Sequence, residues 1–127
     1  MVEAIVHELE WQKEYLAGAE ISSIYFGGGT PSLLSDQELE LIFSKIYQIH
    51  KVRPDAEITL EANPDDLSLD KLQALRNSPV NRLSIGIQSF AEEDLRFMNR
   101  AHNAQESLAC IENALAQGFP NLTLDLI

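Results

Sequence analysis

The 127-residue sequence is poor in cysteine, in basic side chains and in long apolar runs. Its single cysteine, Cys110, cannot form an intrachain disulfide, and the N-terminus has neither a basic segment nor an apolar signal core. We therefore expect a protein of the reducing cytoplasm.

Nine basic against twenty acidic side chains give a net charge of −11, which repels phosphate backbones and anionic lipid. We accordingly expect no nucleic-acid partner.

No window of the sequence approaches the roughly 18 unbroken apolar residues of a membrane-spanning helix. An apolar content of 45 % is ordinary for a globular chain, and the length suits one domain or part of a larger one. Residues 1–127 begin in a helical pattern and stop inside the apolar-rich run LTLDLI. We therefore expect the chain to be the central part of a larger domain.

Strand-like and helix-like stretches alternate along the chain, with no low-complexity segment between them. Ser35 and Glu38 form a capping-box pattern that predicts a helix start. The pattern predicts strands at 21–27, 57–63, 82–88 and 122–127, separated by helices. Strands that alternate with helices in this way predict parallel βαβ units and an α/β fold.

The last predicted helix starts near Ala104, with Asn103 and Glu106 as a second capping pair and Gly118 at its end. Its buried stripe is predicted to consist of Leu108, Ile111 and Leu115. Cys110 lies off that stripe and is expected to have a structural role.

The predicted strands alternate between apolar and polar residues, whereas strands of parallel sheets are usually apolar throughout. The apolar set can meet the helices, which leaves one face of the sheet polar. A packed barrel interior is filled by bulky branched side chains, so this face predicts a parallel TIM-like barrel, or an open partial barrel, with a ligand site in its lumen. The polar face comprises Ser23, Tyr25, Gly27, Glu57, Thr59, Glu61, Ser84, Gly86, Gln88, Thr123 and Asp125.

The stretch FGGGTPS at 26–32 contains three consecutive glycines, so the backbone carries no side chains where the first strand ends. A simple turn between strand and helix remains one explanation. The stretch lacks the lysine of a phosphate-binding loop and is a weak match to a dinucleotide fingerprint. Glu61, Gln88 and Asp125 also fall at or near strand ends, where parallel barrels collect their ligands.

Five separated motifs resemble the radical S-adenosylmethionine family: FGGGTPSLLS, AEITLEANPDDL, NRLSIGIQSF, LRFMNRAHN and LTLDLI. The most similar branch contains the oxygen-independent coproporphyrinogen III oxidases and the heme chaperones. The resemblance implies a partial (βα)6 barrel that holds S-adenosylmethionine and a 4Fe–4S cluster in its lumen. The chain is identified with the central part of that barrel, without its first strand, its cluster-binding loop and its C-terminal part.

The resemblance also implies roles for seven residues. The glycine loop would bind the methionine part of the cofactor, with Glu61 close by, and Arg100 would pair with the methionine carboxylate. Gln88 and Asp125 would hydrogen-bond the ribose hydroxyls. In the glycine loop, the residues that would bind the methionine part are Gly28, Gly29 and Thr30. Taken singly, Arg100 could also be a solvated surface arginine, and either carboxylate could cap a loop.

This sequence departs from the family in lacking the CxxxCxxC motif that holds the cluster. We predict that the chain as it stands is inactive in reductive cleavage of the cofactor, because without a cluster it has no electron donor.

Among the members of the branch, the motifs favour a heme chaperone over the oxidase as the full-length protein to which this chain belongs, with heme or a porphyrinogen as its small-molecule partner. A third possibility is a non-catalytic α/β domain that binds an adenosyl compound. Unpaired edges of a partial barrel predict a possible dimer.

Two further side chains carry expectations. His102 is close in sequence to Arg100 and is expected to be a hydrogen-bonding loop histidine rather than a heme contact. Glu57 is expected to form an ion pair with Arg82 on the polar face.

Overall fold

The computed structural model describes residues 1–127 as an open sheet of four parallel strands in the order β1-β2-β3-β4. The predicted parallel α/β architecture is therefore confirmed. Because neighbours in the sheet follow chain order, β1 and β4 are its two edge strands. The strands are β1 (Ile21–Phe26), β2 (Val52–Ala62), β3 (Arg82–Gln88) and β4 (Leu122–Leu126).

Five α-helices connect or precede the strands, and a short 3-10 turn follows each of β1 and β2. Both predicted capping boxes are present: Ser35 N donates to Glu38 Oε2 at 2.8 Å, and Asn103 N donates to Glu106 Oε2 at 2.8 Å. None of the helices is both long enough and apolar enough to cross a bilayer. The helices are α1 (Val2–Trp11), α2 (Asp36–Ile49), α3 (Leu69–Arg76), α4 (Glu92–Phe97) and α5 (Ala104–Ala116).

The main core lies between the apolar face of the sheet and helices α2, α3 and α5. Leu60, Leu83 and Ile85 come from the central strands and are fully buried. They pack in one cluster with Leu72 and Leu75 of α3. Burial of such side chains contributes roughly 1.5–3 kcal/mol each. The alternation therefore assigns one face of each strand to the core and leaves the other for polar groups.

The strand register aligns the polar residues in rows across the sheet. Tyr25 pairs with Thr59, which pairs with Arg82, and Glu61 pairs with Ser84. The guanidinium of Arg82 donates to Glu57 Oε1 at 3.3 Å, to Thr59 Oγ1 at 3.4 Å and to Thr123 Oγ1. The predicted Glu57–Arg82 ion pair is confirmed. Together with the hydrogen bonds to Thr59 and Thr123, it links β3 to both of its neighbours, β2 and β4.

The predicted start of α5 is confirmed, but its predicted buried stripe is only partly right, because Ile111 packs against the core whereas Leu108 and Leu115 do not. Leu108 and Leu115 are 54 % and 52 % exposed, and the buried residues of the helix are Ser107, Cys110 and Ala114. The helix therefore meets the core through small side chains, which permit closer packing than leucine does. Cys110 lies on the buried face instead of off it, although its expected structural role agrees with its place in the core.

Strand β2 begins earlier than the alternation predicts. It runs from Val52, whereas the sequence indicates a start at residue 57. A register shift between β1 and β2 separates the pairs Ile21–Val52 and Ser23–Glu57. The added residues lie at the amino end, so the position of Glu61 near the carboxyl end of β2 is unaffected.

Candidate functional site

A cleft of about 180 Å³ opens at the carboxyl ends of the strands, on the polar face of the sheet. Five of the seven predicted site residues line it: Gly29, Thr30, Glu61, Gln88 and Asp125. Larger hollows lie between helices and beside β1, and the one beside β1, of about 590 Å³, is also lined by Gly28, Gly29 and Thr30 on the other side of the glycine loop. We take the small polar cleft as the site because the predicted residues and the strand ends converge there. Its other lining residues are Pro31, Ala62, Asn63, Ser84 and Gly86.

The glycine loop forms one wall of the cleft, and two different constraints act on its glycines. Gly28 and Gly29 have φ values of +76° and +61°, a region that side-chain-bearing residues rarely adopt. Gly27 does not have a positive φ, but a Cβ there would lie 2.7 Å from Cε1 of Tyr25 and 3.1 Å from Oε1 of Glu61. The run of three glycines thus serves both the turn and the close approach of neighbouring side chains.

Glu61 links the glycine loop to the sheet. Its Oε1 accepts a hydrogen bond from the Tyr25 hydroxyl at 2.8 Å, and its Oε2 accepts one from Gly28 N at 3.2 Å. The hydrogen bond to Glu61 raises the pKa of Tyr25, with desolvation as a smaller cause. Both carboxylate oxygens therefore already have a protein partner, and each retains acceptor capacity toward the cleft.

Gln88 and Asp125 approach the cleft from the last two strands. Gln88 has a φ of +70°, which is uncommon for a residue other than glycine, asparagine or aspartate and is typical of strained functional positions. Ser84 Oγ donates to the carboxylate of Asp125, at 3.3 Å from Oδ2. These two side chains supply an amide and a carboxylate at neighbouring strand ends.

Arg100 does not line the cleft itself but reaches its border from the segment between α4 and α5. Its Nη2 donates to Asn63 Oδ1 and to the carbonyl oxygen of Gly86, both at 3.0 Å. Its Nε is buried and has no hydrogen-bond partner in the protein. An unpaired N–H on a guanidinium is costly, so this group has capacity for an acceptor that the protein itself does not supply.

Sequence reasoning missed Asn63 and did not assign roles to Tyr25 and Ser84. Tyr25 and Ser84 were visible as members of the polar face, and each bonds a predicted carboxylate. Asn63 directly follows β2, so its place at a strand end was the available signal.

His102 holds the segment after α4 in place. It is 4 % exposed, with Nε2 at 3.1 Å from the carbonyl oxygen of Ile87 and Nδ1 at 3.4 Å from Oδ1 of Asp65. The expectation of a hydrogen-bonding loop histidine is confirmed. Because both ring nitrogens face protein acceptors, the ring fixes the approach of the neighbouring Arg100 segment to β3.

The cleft presents groups that can bind a small ligand with charged and hydroxyl groups, and it does not suit an iron–sulfur cluster. Backbone groups of the glycine loop and the unpaired Nε of Arg100 can bind charged groups, and the side chains of Gln88 and Asp125 can accept hydrogen bonds from hydroxyls. The chain offers no ligand set for a 4Fe–4S cluster, because its one thiol, Cys110, is buried in the core. No group of three or more histidine, cysteine, aspartate or glutamate residues is placed to hold a metal ion.

Comparisons with known proteins agree with this geometry. The sequence model described as the radical SAM superfamily matches residues 2–127. The chain is 36 % identical over 126 residues to the heme chaperone HemW of Escherichia coli, covering 99 % of this chain and 33 % of that protein. It is 39 % identical over 109 residues to HemW of Bacillus subtilis, covering 85 % of this chain and 29 % of that protein.

Among solved structures, the coproporphyrinogen III oxidase HemN from Escherichia coli, described as a radical SAM enzyme, superposes with a TM-score of 0.88. Its sequence is 31 % identical, and the match covers 98 % of this chain and 29 % of that one. The four-stranded sheet therefore matches part of a radical SAM barrel, as the polar inner face predicts. The chain spans about a third of the length of the curated relatives that it matches.

Proposed function

Because the chain belongs to the radical SAM superfamily, we propose that its cleft binds S-adenosylmethionine. The observation that carries the proposal is the convergence of a glycine loop, two carboxylates and two side-chain amides in one polar cleft, with an arginine at its border. These groups match the ammonium, carboxylate and hydroxyl groups of that cofactor in chemical type.

In this proposal the two ends of the cofactor have separate sites. Gly28, Gly29 and Thr30 bind the methionine part through the main chain, and Arg100 pairs with its carboxylate. Glu61, held by Tyr25 and Gly28 N, is placed to accept from a cationic or hydroxyl group. Gln88 and Asp125 bind the ribose hydroxyls.

Radical SAM proteins obtain the electron for cofactor cleavage from a bound 4Fe–4S cluster, and this chain contains none of the thiolate ligands. Residues 1–127 would accordingly bind and orient the cofactor without cleaving it. We assign the cluster to the remainder of the natural protein, in a reducing cytoplasm where a free thiol persists. Anaerobic formation of 5′-deoxyadenosine by the isolated chain would contradict this assignment.

For the natural protein we propose heme trafficking as a chaperone similar to HemW. The identities of 36 % and 39 % to HemW proteins support it. A second candidate is oxidative decarboxylation of porphyrinogen propionates, supported by the match to HemN at a TM-score of 0.88 and by 32 % identity to the Escherichia coli oxidase. The chaperone would hold heme and pass it to an acceptor protein, whereas the oxidase would release carbon dioxide.

Two measurements on the natural full-length protein test the proposals. Calorimetric titration with S-adenosylmethionine tests the cleft, and Asp125→Ala should weaken binding by about tenfold through loss of a charged hydrogen-bond acceptor, equal to about 1.4 kcal/mol. Heme titration followed by absorbance, run beside coproporphyrinogen turnover, separates chaperone from oxidase. Turnover without stoichiometric heme binding would overturn the chaperone assignment.

A further inference from the structure

We propose that Asn63 is a positioning residue, which holds the guanidinium of Arg100 at the border of the cleft so that a ligand carboxylate meets it already oriented. The inference rests on the proposed function, because it concerns the same cofactor site. It assigns a role to a residue that the motif comparison left without one.

The contacts around Arg100 leave its position dependent on one side chain. Nη2 has two acceptors in the protein, Asn63 Oδ1 and Gly86 O, each at 3.0 Å. The Gly86 carbonyl belongs to β3, while Asn63 is the only side chain that accepts from the guanidinium. Removing the Asn63 amide would therefore leave a long, rotamer-rich side chain tethered by a single backbone oxygen.

Asn63 is itself held from the opposite side. Its Nδ2 lies 3.5 Å from Oδ2 of Asp66, which also accepts from Ser32 Oγ at 2.7 Å. Ser32 is 3 % exposed and belongs to the turn directly after the glycine loop. A continuous chain of hydrogen bonds thus runs from the glycine-loop side of the cleft through Asp66 and Asn63 to Arg100.

The side chains of Asn63, Gln88 and Arg100 converge over the backbone of Gly86. A Cβ on Gly86 would lie 3.0 Å from Gln88 Nε2, 3.7 Å from Arg100 Nη2 and 3.7 Å from Asn63 Oδ1. Glycine at this position therefore lets the amide of Asn63, the amide of Gln88 and the guanidinium of Arg100 meet over one Cα. A neutral amide at position 63 also orients the arginine without cancelling the charge that attracts a carboxylate.

A pair of ligands distinguishes positioning from general structural support. S-adenosylmethionine carries the carboxylate, whereas 5′-methylthioadenosine has the adenosyl thioether without the amino acid. In calorimetry on the full-length protein, Asn63→Ala should weaken S-adenosylmethionine binding about tenfold, equal to about 1.4 kcal/mol. Binding of 5′-methylthioadenosine should stay within about twofold, which corresponds to a difference of only ~0.4 kcal/mol.

Asn63→Asp separates orientation from charge. The carboxylate retains an oxygen acceptor for Arg100 but offsets the charge of the guanidinium. We therefore expect S-adenosylmethionine to bind about tenfold more weakly than to wild type, ~1.4 kcal/mol, while 5′-methylthioadenosine stays within about twofold. Asn121→Ala, at an exposed asparagine directly before β4, is the matched control and should change neither ligand.

The outcomes separate this inference from the function on which it rests. Wild-type protein that binds no S-adenosylmethionine overturns the proposed function and this inference with it. Wild-type binding together with an unchanged Asn63→Ala variant overturns the positioning role alone. An equal loss for both ligands also overturns it, because that result indicates support of the fold instead of the arginine. An Asn63→Asp variant that binds S-adenosylmethionine like wild type would likewise overturn it, because a neutral amide would then not be required.

Discussion

Replacing Gly29 and Gly18 by alanine tests whether the glycine loop serves a ligand or only the turn. Both residues have positive φ, +61° for Gly29 and +76° for Gly18, and a Cβ on either would have no atom within 4 Å. Neither substitution therefore creates a clash inside the protein. The two sites differ in place, because Gly29 lines the cleft whereas Gly18 lies in the exposed turn between α1 and β1.

The cost to stability should be the same at both sites. The left-handed conformation costs a residue with a Cβ roughly 1–2 kcal/mol. Lower freedom of the unfolded chain offsets roughly 0.4–1 kcal/mol of that cost. We expect each variant to lose about 1 kcal/mol in free energy of unfolding, measured by urea titration.

Binding should separate the two variants. A methyl group on Gly29 would occupy space at the wall of the cleft, so Gly29→Ala should weaken S-adenosylmethionine by at least about tenfold, ~1.4 kcal/mol. Gly18→Ala should bind like wild type in the same calorimetric assay. Equal affinities for the two variants would refute the reasoning and leave the glycines as a turn.

Three further predictions concern other parts of the protein. Glu61→Gln should lower the pKa of Tyr25 toward its ordinary value, because the hydrogen bond to the carboxylate raises it, and phenolate absorbance during a pH titration checks this; an unchanged midpoint would contradict the bond. Desolvation raises the pKa of Cys110 from 9.0 to about 11, so the folded state holds this proton more tightly than the unfolded state does. Unfolding free energy should fall as pH rises from about 9 toward 11, by on the order of 2 kcal/mol, and Cys110→Ala should flatten this slope in urea titrations. The isolated 127-residue chain should form dimers at high concentration through the open edges of β1 and β4, and light scattering that finds only monomer would argue against edge pairing.

The strands and the polar face could be predicted because a period of two is imposed directly by strand geometry. The buried face of α5 could not, because a hydrophobicity pattern ranks leucine above serine and alanine. The face that α5 buries instead consists of the small side chains Ser107, Cys110 and Ala114. Motif resemblance selected the seven candidate site residues, five of which line one cleft, but it did not select Asn63. An asparagine after a strand has no distinctive chemistry until the structure places it beside Arg100.

Arg82 donates hydrogen bonds to Glu57, Thr59 and Thr123. These hydrogen bonds divide the polar face into two regions in which we expect substitutions to have different effects. At the amino end, one cation joins three strands, so we expect a substitution there to change the stability of the sheet. At the carboxyl end, the loops line the cleft, so we expect a substitution there to change ligand binding. Protein engineers could therefore vary the loops around Gly29 and Gln88 while keeping Arg82 constant, and use the sheet as a fixed platform for new ligands.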